Sequence, residues 1–197
     1  AMGIIEAITP GHLNRLRRLV READIVCIDA NPSPGALKTL FRLTQQYDVP
    51  VCVDPTAALL AGKLRSYLPA ITAITPGRDE AEALLGMTLG DDAAIQTAAR
   101  SLVQEGVALA AVMLGAEGLC YATSEESGRI AAFQAEVLDP SGAGDALTAA
   151  VAYGLLEGVS PEEAVRLGMA AAAQTVMCRD NVCATLSPEM LYERLVM

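Results

Sequence analysis

The segment DPSGAGDALTAA, residues 139–150, sets two acids, Asp139 and Asp145, around Ser141, Gly142, Ala143 and Gly144, and then opens an apolar run. A turn needs one glycine and a helix start needs one cap, so two glycines followed by an acid describe a backbone built to hold something. Glycine-rich residues ahead of a helix let several N–H groups point the same way, and the helix dipole adds partial positive charge there. Asp145 falls in the first turn of that helix, at its positive end. A base beside an anion cradle suits phosphoryl transfer: the acid takes the proton of an attacking hydroxyl, and the N–H groups meet charge developing on the phosphate. Read alone, the stretch also fits a capped helix after a tight turn, because G-x-G before a helix is weakly informative.

The elements that must position these residues alternate along the chain. GHLNRLRRLVRE (11–22) spaces Leu13, Leu16 and Val20 as a helix does, and IVCIDA (25–30) then reads as a buried strand. The unit recurs: a helix within residues 31–50 precedes the strand VCVDP (51–55), and a helix containing Lys63 and Tyr67 precedes the strand AITAITP (70–76). Near-continuous apolar strands between amphipathic helices predict a mostly parallel sheet covered on both faces, a three-layer α/β/α sandwich. These strands end at Asp29, Asp54 and Thr75, and in open α/β sheets ligands bind at the carboxyl ends of strands. Helices follow at 78–85 and from Asp91-Asp92. LAAVMLGAEGLCYAT (109–123) then predicts two strands around a glycine turn, and RIAAFQAEV (129–137) a third. After the 139–150 segment, Ser160, Pro161 and Glu163 signal a capped helix start. That helix carries Gly168 and a stripe of alanines that permits close approach, and a last short helix follows Ser187-Pro188.

Composition bounds the function. The chain has 197 residues, enough for one domain over 1–197, with 52% hydrophobic and 19% charged residues, which excludes a disordered chain. A net charge of −10 argues against nucleic acid and anionic membrane as partners, and Arg15, Arg17 and Arg18 read as a solvated helix face. The cysteines Cys27, Cys52, Cys120, Cys178 and Cys183 form no C-x-x-C pair. They signal neither a zinc site nor a disulfide framework, read as core fillers and fit a reducing cytoplasm. Apolar runs such as GVALAAVMLGA are too short to span a bilayer and no signal peptide opens the chain, so a soluble, unexported protein is expected. Ala1-Met2 reads as a tag remnant before a start methionine. His12 has no partner in sequence and no assigned role.

Several motifs, in order, resemble the ribokinase-like carbohydrate kinases of the PfkB family. DPSGAGDAL is similar to that family's D-T-x-G-A-G-D signature, with Pro140 in place of threonine. ITPGRDEAEALLG resembles its P-N-x-x-E-A segment, with Gly77 in place of asparagine, and VMLGAEGLCYAT resembles the strand and L-G-x-x-G turn beside the nucleotide. IIEAITPGHL, DANPSPGAL and VDPTAA are most similar to the pseudouridine-kinase branch. The resemblance runs along the whole chain but matches only the later part of a family member, without the earlier strands and the lid over the sugar.

The resemblance implies that Asp145 is the catalytic base and that Gly142, Ala143 and Gly144 form the anion hole. It places Met113, Gly115 and Gly118 along ATP and the helix near Ala171 against the adenine. Glu80 would organise Mg2+ and phosphate, and Asp139 and Ser141 would ligate a monovalent cation such as K+. On residue type alone, Glu80 is equally a solvated helix acid, Gly115 and Gly118 are turn glycines, and the alanine stripe is helix packing. The expected activity is transfer of the ATP γ-phosphate to a primary hydroxyl of a small-molecule sugar or nucleoside, pseudouridine being favoured. The alternative is a non-catalytic nucleotide-binding module lacking the acceptor site and lid. Strands missing from one side would leave a sheet edge open, so self-association into a homo-oligomer is also expected.

Overall fold

Runs of valine, isoleucine and alanine too short for helices pair side by side into one six-stranded sheet. The computed structural model describes residues 2–90 and 92–196, so Ala1 and Asp91 of the readings above lie outside the described residues. The strands are β1 (Val26–Asp29), β2 (Val51–Asp54), β3 (Ala73–Ile74), β4 (Leu109–Met113), β5 (Leu119–Ala122) and β6 (Ser127–Ile130), and they lie in sequence order. β1 to β4 are parallel, and β4–β5–β6 are antiparallel.

That order dictates the layers. A right-handed crossover between neighbouring parallel strands taken in sequence always lands on the same face. The crossovers α3 (Pro34–Tyr47), α4 (Ala58–Ala61), α5 (Arg78–Leu85) and α6 (Asp92–Gln104) therefore share one face. There Leu37, Leu64 and Leu102 pack on Val53, Ile74 and Val112. The antiparallel strands need no crossover, and the other face is left to α7 (Ala143–Glu157) and α8 (Pro161–Thr175). Leu147, Val151 and Met169 there meet the alternate strand residues Cys52, Ala111 and Leu119. The period-2 alternation of side chains in one strand thus feeds both cores, giving the expected three-layer α/β/α sandwich with a mostly parallel sheet. Each fully buried leucine contributes about 1.5–3 kcal/mol. α9 (Pro188–Val196) sets Leu191 against Ala170 and Ala171 outside α8.

Several local readings need correction. The 11–22 helix is two short ones, α1 (Pro10–Arg15) and α2 (Arg17–Arg21), broken at Leu16 with φ −89° and ψ 8°. Of its apolar spacing only Val20 is buried, so little packing holds a continuous helix. The helix expected around Lys63 and Tyr67 is 3-10 over Gly62–Ala70, with Gly62 at its start and Pro69 inside, both poor α-helix formers. The third antiparallel strand ends at Ile130, because its partner β5 begins at Leu119, and residues 131–137 leave the sheet. Cys178 and Cys183, read as core fillers, form a disulfide, their Cα atoms 5.7 Å apart across a turn. Among the described residues no helix is long and apolar enough to cross a membrane.

The alanine stripe and Gly168 bring α8 close onto α7. A Cβ at Gly168 would lie 2.9 Å from Val151 Cγ2 and 3.1 Å from the Leu147 carbonyl oxygen, so no side chain fits without moving a helix. Gly168→Val is expected to destabilise the chain by about 1–3 kcal/mol and lower the thermal midpoint by roughly 3–8 °C. An unchanged midpoint in calorimetry would show that the two helices do not pack at this distance.

Candidate active site

Several helix starts here are closed by a hydroxyl. Thr9, Ser33 and Ser160 accept the N–H of His12, Ala36 and Glu163 at 3.1–3.2 Å. The N-cap of α7 is instead Gly142, which has no side chain to offer. Its φ of 80° lies in the left-handed region, and a Cβ there would collide with the Asn181 carbonyl oxygen, so the position requires glycine. The turn is held from behind. Asp139 Oδ1 accepts the Ser141 N–H at 2.8 Å, and this bond holds the Asp139 carboxyl below its ordinary range. The N–H groups of Leu138 and Asp139 both donate to the Val176 carbonyl. The Ala143 N–H reaches the Pro140 carbonyl only at 3.4 Å, and among the described residues the Gly144 and Asp145 N–H groups meet no acceptor. Open amides at the positive end of a four-turn helix are donors of the kind that can meet an anion.

Two buried hydroxyls dock this helix start on the sheet. Thr148 Oγ1 donates to the Gly144 carbonyl at 3.0 Å and lies 2.6 Å from Thr75 Oγ1, which also reaches the Val53 carbonyl at 3.3 Å. Thr75 follows β3, so the first turn of α7 stands at the carboxyl edge of the sheet. Sequence reasoning marked Thr75 only as a strand end, and Thr148 gave no signal beyond its helix.

Clefts open on both sides of that turn. One of about 510 Å3 is bounded by Met113, Gly115, Gly118, Phe133, Ala143 and Val176 and is mostly apolar. Of the residues placed along a nucleotide by the sequence, Met113, Gly115 and Gly118 line it. Ala171 does not: it is fully buried between α7, α8 and α9, and its neighbours Ala172 and Ala173 line the cleft instead. One residue along a helix turns a side chain by about 100°, enough to exchange the two faces. The second cleft, of about 460 Å3, is bounded by Cys27, Asp29, Asp54, Asp145 and Thr148. Asp145 is exposed there and joins no ion pair among the described residues.

Beside these clefts, Glu80 Oε2 accepts the Gly77 N–H at 2.7 Å and closes the start of α5. Gly77 and Glu80 line a further open pocket with Met113 and Gly115. Asp54 is the group sequence reasoning left without a role. Its Oδ2 lies 3.3 Å from where a Cβ on Gly144 would sit, against the first turn of α7. Burial pushes the Asp54 carboxyl up to about 6, aided by the charges of Glu80, Asp145 and Asp29, while a 2.7 Å bond from the Thr56 N–H opposes the shift. Thr56 holds a left-handed φ of 67°, unusual for a β-branched residue and found at functional sites. The sequence signal for Asp54 was its place at the end of a strand.

Among the described residues no three acidic, cysteine or histidine side chains form a ready metal cage. The carboxylates of Asp54 and Glu80 nevertheless fit a hard cation of the magnesium type, which uses one or two carboxylates and takes its other ligands from phosphate and water. Asp139 and Ser141 stand together in one turn beside the 176–183 loop, open to solvent.

The fold and site together define a ribokinase-like chain. It superimposes with a TM-score of 0.80 on Arabidopsis thaliana ribokinase complexed with ribose and ATP, at 26% identity over 92% of this chain and 58% of that one. A carbohydrate kinase from Agrobacterium tumefaciens gives a TM-score of 0.83 at 26% identity, over all of this chain and 62% of that one. The sequence matches the pfkB family carbohydrate kinases over residues 3–184, and the chain belongs to that family. It is 34% identical to the uncharacterized sugar kinase YeiI of Escherichia coli (strain K12) over 86% of this chain and 47% of that protein. It is 32% identical to the pseudouridine kinase of the same organism over 90% of this chain and 56% of that protein. The chain thus spans about half the length of the curated relatives it matches.

The folded chain binds the Asp54 proton more tightly than the unfolded chain, where the group has its ordinary value of 3.8. Ionising it in the folded state therefore costs stability, and that cost grows as pH rises from about 4 through about 6 and persists above. Asp54→Asn keeps the acceptor for Thr56 and removes the charge. It is expected to raise the thermal midpoint at about pH 7.5, with the gain vanishing near pH 4. A difference independent of pH would place the Asp54 charge in solvent.

Proposed function

We propose that this chain carries the nucleotide half of a phosphotransferase that moves the γ-phosphate of ATP to a primary hydroxyl of a sugar or nucleoside. The observation that carries the reading is the start of α7, whose Gly144 and Asp145 amides are open among the described residues and whose Asp145 faces the cleft opposite the apolar one. ATP lies in the apolar cleft along Met113, Gly115 and Gly118, with its base against Ala172 and Ala173. Its terminal phosphate meets the amides of Gly142, Ala143 and Gly144. The acceptor hydroxyl enters from the Asp29 and Asp54 side and gives its proton to Asp145 as it attacks in line. Asp54 and Glu80 would hold magnesium, which would supply neutralisation of phosphate charge, and Asp139 and Ser141 are the proposed holders of potassium. Pseudouridine is the favoured acceptor, on the sequence likeness to the kinase of that nucleoside. The proposed compartment is the cytoplasm.

A second reading has its own observation. β1 is an edge strand, and Cys27 on it is exposed although its register partner Cys52 is buried. The acceptor side is therefore walled less fully than the nucleotide side. A chain that binds ATP and transfers nothing unaided, until a preceding segment or a second copy covers that edge, fits this asymmetry.

ATP with magnesium is expected to raise the thermal midpoint, by the equivalent of about 2.7 kcal/mol at a hundred times the dissociation constant. A panel of sugars and nucleosides assayed for phosphoryl transfer separates the two readings. In an active form, Asp145→Asn is expected to lower turnover roughly a hundred- to ten-thousand-fold with little change in ATP affinity. Full activity of that variant would remove Asp145 from the role of base, and a midpoint indifferent to ATP would remove the nucleotide cleft.

A further inference from the structure

The mechanism above leaves the Cys178–Cys183 disulfide unused, and that bond closes the loop against which the anion cradle rests. Asn181, inside the closed loop, presents its carbonyl oxygen to Gly142 so closely that no Cβ fits between them. Val176, at the end of α8 just before the loop, accepts both the Leu138 and Asp139 N–H groups and also lines the apolar cleft. The backbone of residues 138–142 is thus held between Val176 and Asn181, one on each side of Cys178. The rest of the loop adds little: Arg179, Asp180, Asn181 and Val182 are all exposed. A loop with no core of its own depends on its covalent closure for a fixed shape.

We propose that Cys178 and Cys183 are a reversible thiol–disulfide site, oxidised by low-molecular-weight disulfides such as glutathione disulfide, whose bond fixes the Gly142 turn and so the affinity of the cradle for phosphate. Cys178 is half-buried and Cys183 is 5% exposed, which sets the order of events. The Cys178 thiolate attacks the external disulfide, breaking its S–S bond and releasing one thiol. The Cys183 thiolate then attacks the Cys178 sulfur of the mixed disulfide, forming the internal bond and releasing the second thiol. Two electrons pass from the protein to the external disulfide, and the two protein protons leave on the released thiols. The effect on nucleotide rests on the phosphate-binding reading above, whereas the effect on the turn does not.

The test compares the protein equilibrated with glutathione disulfide and with dithiothreitol. Hydrogen exchange without nucleotide is expected to speed roughly fivefold or more over residues 138–145 on reduction, with the β4 amides unchanged. ATP affinity is expected to fall roughly three- to tenfold in the same step. The Cys178→Ser/Cys183→Ser variant should match the reduced protein and ignore the reductant. Equal exchange in the two states, or alkylation finding both thiols free after glutathione disulfide, would overturn the proposal. An exchange difference without ATP binding in either state supports the thiol site and instead overturns the nucleotide reading.

Discussion

A helix start left without its cap is the constraint on which the rest of this structure turns. Among the described residues the Gly144 and Asp145 amides of α7 are neither filled by a side chain nor folded back into the chain, while α1, α3 and α8 close their starts with Thr9, Ser33 and Ser160. Leaving such donors open costs the folded chain a capping interaction of about 1 kcal/mol. The structure holds the turn from every direction that does not obstruct the amides. The Thr148 and Thr75 hydroxyls fix it to the end of β3, Val176 fixes the segment leading in, and the Asn181 carbonyl packs against Gly142 from below. Every one of these contacts uses a carbonyl or hydroxyl of the turn or its surroundings and spares the N–H groups of Gly144 and Asp145. A rigid frame around unused donors is what preorganised charge stabilisation requires.

The same edge of the sheet gathers negative charge. Asp29 and Asp54 end adjacent parallel strands and face each other in register, and Asp145 and Glu80 stand close enough to raise the Asp54 carboxyl. Carboxylates at the ends of neighbouring strands are a product of topology, since parallel strands bring all their carboxyl ends to one side. A helix terminus carries only about half a positive charge, so the amides of α7 cannot by themselves offset both these acids and a phosphate chain. Were a phosphate chain to enter beside these acids, a cation would be the physical partner that lets both occupy one place, and it would lower the Asp54 carboxyl as it did so.

Much of this was legible in the sequence wherever a single local signal decided the outcome. VCVDP and LAAVM are apolar runs bounded by turn residues, and each became the strand expected. DPSGAGD signalled both the glycine turn that opens α7 and the exposed acid in its first turn. Other features depend on information a linear reading lacks. Whether Leu16 continues a helix depends on how little of residues 11–22 is buried, and β6 stops where its partner stops. Ala171 and Ala172 are alike as residues and differ only in which side of α8 meets the cleft. Cys178 and Cys183 pair because a turn brings them together, at a spacing that no metal or redox motif signals. Asp54 was visible as a strand end, but its raised carboxyl emerges from burial first and then from charges on β1, α5 and α7.

The two clefts differ in kind, and the difference follows from strand order. The apolar cleft lies towards the antiparallel end, where the end of β4, the Gly115–Gly118 turn, the 131–137 segment, α7 and α8 wall it on several sides with residues of this chain alone. The Asp145 cleft lies towards β1, at the end of the sheet, where the second layer thins and Cys27 emerges into solvent. Apolar enclosure favours a flat nucleobase and can be satisfied by alanine, methionine and valine walls. Holding a hydroxyl-rich acceptor in line for attack requires converging polar groups and exclusion of water, and an edge strand supplies neither on its outer side. On the proposed function, nucleotide binding and phosphoryl transfer are therefore separable in this chain: one would be built within its own layers, and the other would depend on what covers β1.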